Sequence, residues 1–547
     1  MEGVTDSVRD NVEARLSMTS TKGPFTEADV RRMNERADEE IRKALEPFGY
    51  YRPAIRSRLT RGDAGWNAVY TIDPGPALKV DSLDIQITGD GADDPAFRAY
   101  VDRYPLKRGA VLIHDTYRRA RTELAELGAK NGYLDAHFVQ HDVLIDMDRY
   151  TATILIDYET GPQYHFGDVQ FKQSVVDPSL LNGYVTFKRG QPVDTGELLA
   201  MESSLSNSPY FSRVQVHPRT DLAQGKEMPV VVDLVPAKRI KFTAGAGYGT
   251  DNGIHAQSQL EFRRLNRRGH RALLEGTYSS IERSGAARYV IPWPYPRTDL
   301  LTLSTGYAWV KTLTSTSRTS QVGAMWSRGW HDWQQTVALN YRRENFEVGL
   351  DHGLSNLLIP EATWSWLRSN DPVSPSDARR LRFRVSAADE AVVSKSSFLR
   401  GEGLAQWLRT FSPKVRLTGR LEAGALMTNE FHQLPPSIRF FAGGSQSVRG
   451  YGYNTLGSRD AAGNVIGGQV LAIASVEYEY PINPQWSVAA FYDIGNAMQK
   501  FSDPLESGAG PGIRWSSPIG RVRFDLGFPV STSKRNPQFH LSIGPGL

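Results

Sequence analysis

Cysteine is absent from all 547 residues. That excludes disulfide frameworks, thiolate zinc sites and thiol nucleophiles together, and leaves the redox compartment open. Long apolar runs are missing as well: no stretch approaches the ~18 uncharged apolar residues that a membrane helix needs. A helical membrane protein is thereby excluded, but a β-barrel is not, because it hides its lipid-facing surface in alternation and reads as hydrophilic overall. The opening residues, Met1 to Asp6, lack the basic, apolar and small-residue succession of a secretory leader. The 11 histidines form no HExxH-like pair, and Asp146-Met147-Asp148 lacks the rest of a calcium loop. Gly245, Gly247 and Gly249 imitate a dinucleotide fingerprint, but GAGYGT follows a charged linker and opens a strand, so the phosphate reading fails. Neither catalysis nor a cofactor or metal is expected.

What the chain has is divided unevenly. Up to residue 240 there are 30 Lys and Arg against 36 Asp and Glu, and beyond it 34 against 24, so the halves carry −6 and +10. Ten of the 11 tryptophans fall in the second half, and Trp66 is the exception. The basic half does not gather its arginines in one loop or on one helical face, so no nucleic-acid partner is expected.

The first half repeats. Leu45 to Ile55 (LEPFGYYRPAI), Leu127 to Phe138 (LGAKNGYLDAHF) and Leu205 to Val216 (LSNSPYFSRVQV) place Tyr50, Tyr133 and Tyr210 at intervals of 83 and 77. An amphipathic helix precedes each of the first two tyrosines, with Val30, Met33, Ala37, Ile41, Ala44, Leu45 and Phe48 forming the apolar face of the first helix and Tyr117, Ala120, Leu124 and Leu127 that of the second. Alternating strands follow, as at Tyr150 to Tyr158, and Gly75-Pro76 and Gly161-Pro162 open the next two units. Each unit reads as a strand, two helices and two strands, an α+β sandwich. The expected modules are 1–74, 75–160 and 161–239. Gly3 aligns with Gly89, which closes the opening strand of module two, so module one is short of that strand. A natural reading frame starting upstream, with a leader and the missing strand, is the expectation.

From 240 to 547 the helical period gives way to alternation. Leu301, Leu303, Thr305, Tyr307 and Trp309 share one parity, and Val415, Leu417, Gly419, Leu421 and Ala423 face away from Arg416, Thr418, Arg420 and Glu422. Many strands, rich Trp and Tyr content and no covering helices favour apolar residues toward lipid and polar ones toward a lumen. At roughly 19 residues per strand and connection, the segment holds about sixteen antiparallel strands.

Phe440 to Gly468 (FFAGGSQSVRGYGYNTLGSRDAAGNVIGG) is too long for a hairpin turn and too aromatic for a flexible linker, which marks a functional loop. With Phe491 to Asn496 (FYDIGN) and Gly510 to Pro529 (GPGIRWSSPIGRVRFDLGFP), the sequence resembles the superfamily of outer-membrane assembly and secretion barrels. Its members carry polypeptide-transport-associated (POTRA) modules ahead of a sixteen-stranded transmembrane barrel, and three modules point to the TamA-like branch. The resemblance implies that Arg449, Gly450 and Tyr451 sit at the tip of an extracellular loop folded back into the lumen. It also implies a bacterial outer-membrane location with the modules in the periplasm, among outer-membrane lipids. The implied partners are an inner-membrane-anchored, periplasm-spanning TamB-like protein and client β-barrel or autotransporter polypeptides. A polypeptide pore of the two-partner-secretion type is the alternative.

Alternation supplies acceptors for the arginine independently. Val488, Ala490, Tyr492 and Ile494 send Asp493 to the lumen; Val522, Phe524 and Leu526 send Asp525 there; Val476, Tyr478 and Tyr480 turn Glu477 and Glu479 inward. An enclosed guanidinium needs such a partner, and Asp493 is favoured over Asp525. The barrel's ends define a seam. Phe242, Ala244, Ala246 and Tyr248 face outward on the first strand, and Phe539, Leu541 and Ile543 on the last, which then meets Gly544-Pro545-Gly546. Glycine weakens strand pairing and proline lacks the ladder donor, so a short, openable seam is expected, with Ala246 set against Leu541.

Overall fold

A computed structural model describes every residue except 21–24, 63–64, 372–374, 413, 518–519, 532–535 and 544–547. Two compact units divide the chain. One comprises Met1–Lys172, Val185–Ser203 and Val214–Leu234; the other comprises Gln173–Tyr184, Ser204–Arg213 and Val235–Leu547.

In the first unit, helix Glu27–Leu45 begins at a reciprocal cap, where Thr26 and Asp29 satisfy each other's backbone N–H groups. Its apolar stripe (Ala37, Ile41, Ala44, Leu45) packs with Val8, Val12 and Leu16 of the preceding helical segment against Tyr70 and Ile72. The sheet beneath has two strands, Ala54–Gly62 and Gly65–Asp73. Beside them Glu2 bridges in parallel to Thr71 before Gly3 turns the chain with φ +91°. Gly89 turns the chain in the same way after strand Lys79–Thr88 of module two, with φ +80°. That strand runs parallel to the central Thr151–Glu159, which pairs antiparallel with His137–Asp146. Ala152, Ile154, Ile156 and Tyr158 alternate inward from the central strand onto Phe97, Tyr100, Ala120 and Leu124 of two helices. Module two thus follows the strand, two helices, two strands order that its sequence pattern predicts. Module three repeats the sheet, with Glu227–Pro236 between His165–Lys172 and Phe211–Pro218.

The second unit is a sixteen-stranded antiparallel sheet whose spatial order follows the sequence from Ile240–Gly249 to Gln538–Ile543. Alternation decides its two faces. Phe242, Tyr307, Val322, Leu339, Phe383, Leu421, Tyr478, Val488, Phe524 and Phe539 are exposed outside, while Glu344, Glu479, Asp493, Arg514 and Asp525 are buried inside. Aromatic pairs on neighbouring strands, Trp333 with Trp366 and Trp486 with Trp515, stand where interfacial belts form.

Near the long loop the inward face changes character. Phe346, Val348, Leu357, Ile359, Leu471 and Ile473 point inward and are buried, although their strands carry Glu344, Ser355 and Ser475 on that face farther along. A uniformly polar lumen is therefore not what the wall presents. The cause is the loop, which brings its own apolar residues into that end.

Candidate functional site: the loop tip and the barrel seam

The connection between strands Val415–Met427 and Val470–Pro481 enters the barrel because it has a core to form there. Phe431, Leu434, Ile438, Phe440, Ala442, Val448, Leu456 and Ile466 cluster with the inward wall residues. Burying each large side chain contributes on the order of 1.5 to 3 kcal/mol. Arg439, whose side chain is fully buried, braces this base. It donates to the carbonyls of Leu434 (2.9 Å), Ile466 (3.1 Å) and His432 (3.2 Å) and to Asp351 (2.8 Å).

Burial of Val448 delivers Arg449 to the wall. Asp493, fully buried, accepts from the Arg449 backbone N–H (3.0 Å), from Nε (2.7 Å) and from the terminal nitrogen Nη2 (2.9 Å). Glu477 accepts from Nη1 at 2.6 Å, while Asp525 lies 3.4 Å from the same nitrogen. The guanidinium also stands 3.6 Å from the Phe491 ring centre. Lysine could not make this forked set of contacts. Arg514, 1 % exposed, grips Glu477 through two nitrogens (3.0 and 2.8 Å) and approaches Asp525 at 2.7 Å. Ser475 donates to Asp493 at 2.5 Å. Three carboxylates thus face Arg449 and Arg514, and Arg449, Ser475 and Glu477 of this cluster also line, with Glu479 and Arg523, a polar cavity of about 80 Å³. That volume holds several waters, so the cluster is tightly paired yet wet on one side.

The wall makes room for backbone as well as charge. A side chain at Gly508 would collide with the Arg449 carbonyl, and one at Gly527 with the Gly450 nitrogen. Gly450 itself has φ +96° and sits 3.0 Å from Phe528, counted from where its Cβ would be, so it has both a conformational and a steric reason to be glycine. Its N–H donates to His540 Nε2 at 3.0 Å. Tyr451 then donates to Glu506 at 2.9 Å and meets Ser531 at 3.0 Å.

The seam lies beside this tip. The first strand pairs with Gly253–Phe262 over ten positions, and the last with Gly520–Pro529 over six. Among the described residues, no ladder forms between the two end strands. Among the described residues, they are joined where the Thr250 N–H donates to the Leu541 carbonyl and the Leu541 N–H to Thr250 Oγ1, both at 3.2 Å. Phe242, Ala244, Ala246, Tyr248, Phe539 and Ile543 are exposed on the outer face and Leu541 is half-buried. Leu541 stands against Thr250 and not Ala246. Alternation fixes which face a residue takes, but a register offset by four residues preserves that face and so leaves no trace in the pattern. Gly544, with Pro545 and Gly546, lies outside the described residues.

Arg449, Asp493, Asp525, Gly450 and Tyr451 are therefore brought together, and the seam residues line the adjoining edge. Sequence reasoning missed Arg514, Ser475, His540, Asp251, Gly508 and Gly527. The first three carried a signal, since each alternates with outward apolar neighbours; the turn residue and the glycines carried none.

Comparison with known proteins adds independent findings. A family model described as the Omp85 superfamily domain matches residues 265–545, and one described as POTRA domain TamA domain 1 matches residues 1–74. The outer membrane protein assembly factor BamA of Nitratidesulfovibrio vulgaris is 33% identical over 145 residues, a match spanning 24% of this chain and 18% of that protein. The crystal structure of BamA from Haemophilus ducreyi lacking POTRA domains 1–3 superposes with a TM-score of 0.69 at 14% identity, covering 85% of this chain and 99% of that one.

Proposed function

We propose a function from one premise: the chain belongs to the Omp85 superfamily of outer-membrane assembly and secretion barrels, with its barrel in the outer membrane and its POTRA modules in the periplasm. Members of that family work with partner and client proteins. Our reading is that this chain is a TamA-like insertase for β-rich clients such as autotransporters, acting without catalysis. The seam opens and offers unpaired strand edges to a client strand, which adds by β-augmentation. The observation that carries the reading is the Thr250 to Leu541 contact: among the described residues it supplies two hydrogen bonds where an ordinary neighbouring pair has a ladder. At a net ~1 kcal/mol per bond, such a junction opens far more readily than the rest of the wall. The apolar loop core filling one end of the lumen weighs against the alternative of an open polypeptide pore.

Tyr248 and Ile543 lie two residues along each strand from the joined pair, both facing outward. Replacing both by cysteine and oxidising them is expected to stop client assembly at matched barrel levels, with recovery on reduction. Undiminished assembly by the locked barrel defeats the reading. The TamB-like partner is proposed to dock on module one, where the edge of strand Gly65–Asp73 is, among the described residues, bridged at Glu2 alone. Loss of co-purification on deleting residues 1–74 tests that; undiminished recovery excludes module one as the dock.

A further inference from the structure

Two residues flank the joined pair of the seam, Asp251 after Thr250 and His540 before Leu541, and both are held by the tip of the same loop. Ser445 donates its N–H (2.8 Å) and its hydroxyl (2.6 Å) to one oxygen of Asp251. Gly444, with φ +105°, lets the loop backbone come this close, since a Cβ there would lie 3.0 Å from the Asp251 carboxylate. On the other strand, Gly450 donates its N–H to His540 Nε2 at 3.0 Å. His540 is 3 % exposed and its Nδ1 has no partner among the described residues, so accepting this bond is its polar role. The acceptor role requires the neutral ring with its proton on Nδ1.

We propose that the loop tip is a clasp across the seam, in which Asp251 and His540 are the positioning residues that hold the first and last strands together from inside. The inference rests on the seam reading above and extends it to which residues keep the seam shut. Two bonds between the strands are supplemented by three bonds through the loop, and the loop is in turn fixed to the wall by Arg449 on Asp493. Because Arg449 and Gly450 are consecutive, wall attachment and clasp share one stretch of backbone. Withdrawing the tip therefore removes the inner half of the seam's hold in one movement.

The test needs no client, so it stands or falls apart from the insertase role. The chain has no cysteine of its own, and a Tyr248→Cys, Ile543→Cys pair in purified full-length protein can be joined by a short bis-thiosulfonate reagent. His540→Phe, which loses one accepted bond of net ~1 kcal/mol, is expected to slow cross-linking about fivefold; Asp251→Ala, which loses two, is expected to slow it more, and the two together to slow it further. Arg449→Ala should slow it too. His540→Gln, whose amide oxygen can still accept from Gly450, should cross-link at the parental rate. Folding of each variant is read from heat-modifiable migration of the barrel. Parental rates in folded Asp251→Ala and His540→Phe overturn the clasp. Equal slowing by His540→Phe and His540→Gln also overturns it, since ring packing and not the accepted bond would then be what matters.

Discussion

The wall opposite the seam and the seam itself are built from the same alternation, yet they differ in how far neighbouring strands run together. Strands Ser315–Trp330, Trp333–Val348 and Asp351–Ser369 pair over sixteen positions at each junction. Among the described residues, the last strand pairs over six positions with its laddered neighbour and hydrogen-bonds to the end of the first at one residue pair. In a bilayer no water substitutes for a missing ladder bond, so the difference concentrates all readily opened backbone on one line. The long loop rests on that weaker side, with Arg449 bound to strands Val470–Pro481 and Trp486–Met498 and Gly450 to the last strand. Strength on one side allows the barrel to keep its shape while the other side changes.

The sharpest way to break this comparison is to lock both sides. Ala324 and Leu339 are registered partners on the strong wall. A disulfide between Ala324→Cys and Leu339→Cys should leave client assembly at its parental rate, whereas the Tyr248 and Ile543 lock should lower it by about tenfold or more, since strand exchange there needs an unpaired edge. If both locks act alike, the walls do not differ in function.

Next in size is Gly508→Val. Its side chain meets the Arg449 carbonyl, which is backbone held at both ends and has little freedom to give way. The tip should be displaced as thoroughly as by Arg449→Ala, with new cleavage by external protease within 440–468 while the barrel stays folded.

The carboxylates should then rank by the contacts they make. Removing one side of a buried pair typically costs about 3 to 5 kcal/mol, and the adjoining wet cavity reduces that. Asp493→Asn loses its charge against three donors and should nearly reproduce Arg449→Ala. Asp525→Asn weakens the 3.4 Å contact with Arg449 and the 2.7 Å ion pair with Arg514, while Asp493 and Glu477 still hold Arg449 and Glu477 still holds Arg514, so it should lower assembly less than Asp493→Asn. The reverse order would move the centre of the pin to the strand next to last.

The smallest effect lies away from the barrel. Lys226 stands 2.6 Å from Asp90, and that hydrogen bond, with the Gln163 N–H, holds the Asp90 carboxyl below the usual carboxylate range. A lowered folded-state value means the pair contributes above the unfolded carboxylate range and is lost as pH falls through the folded one. Both groups are largely exposed, so screening keeps the contribution small. Urea titration of Lys226→Ala against the parent should differ slightly at neutral pH, and the difference should vanish in acid.

Much of this was legible because a barrel strand has a period of two and that period needs no partner to be read. Asp493, Asp525, Glu477 and Glu479 were placed inward by their apolar neighbours alone; length and composition marked the Arg449 loop as functional, and only the family resemblance implied its return into the lumen. Register was not legible, since an even offset such as Thr250 for Ala246 keeps every face. Nor was the loop's apolar base: Phe346, Leu357 and Ile473 sit on the inward face that Glu344, Ser355 and Ser475 occupy farther along, and only the presence of the loop explains the change. Gly3 and Gly89, aligned in the sequence, both turn the chain with positive φ.

The bare wall at Gly508 and Gly527 has a consequence for transplantation. A loop that docks through its carbonyl and amide cannot be received by an ordinary barrel, however well the receiving carboxylates are matched, because a single methyl group in the seat refuses it. Moving Phe440 to Gly468 into a foreign scaffold with Asp493 alone should therefore fail, and the smallest portable element is the loop together with its two glycines. Arginine and seat have to be inherited as one part.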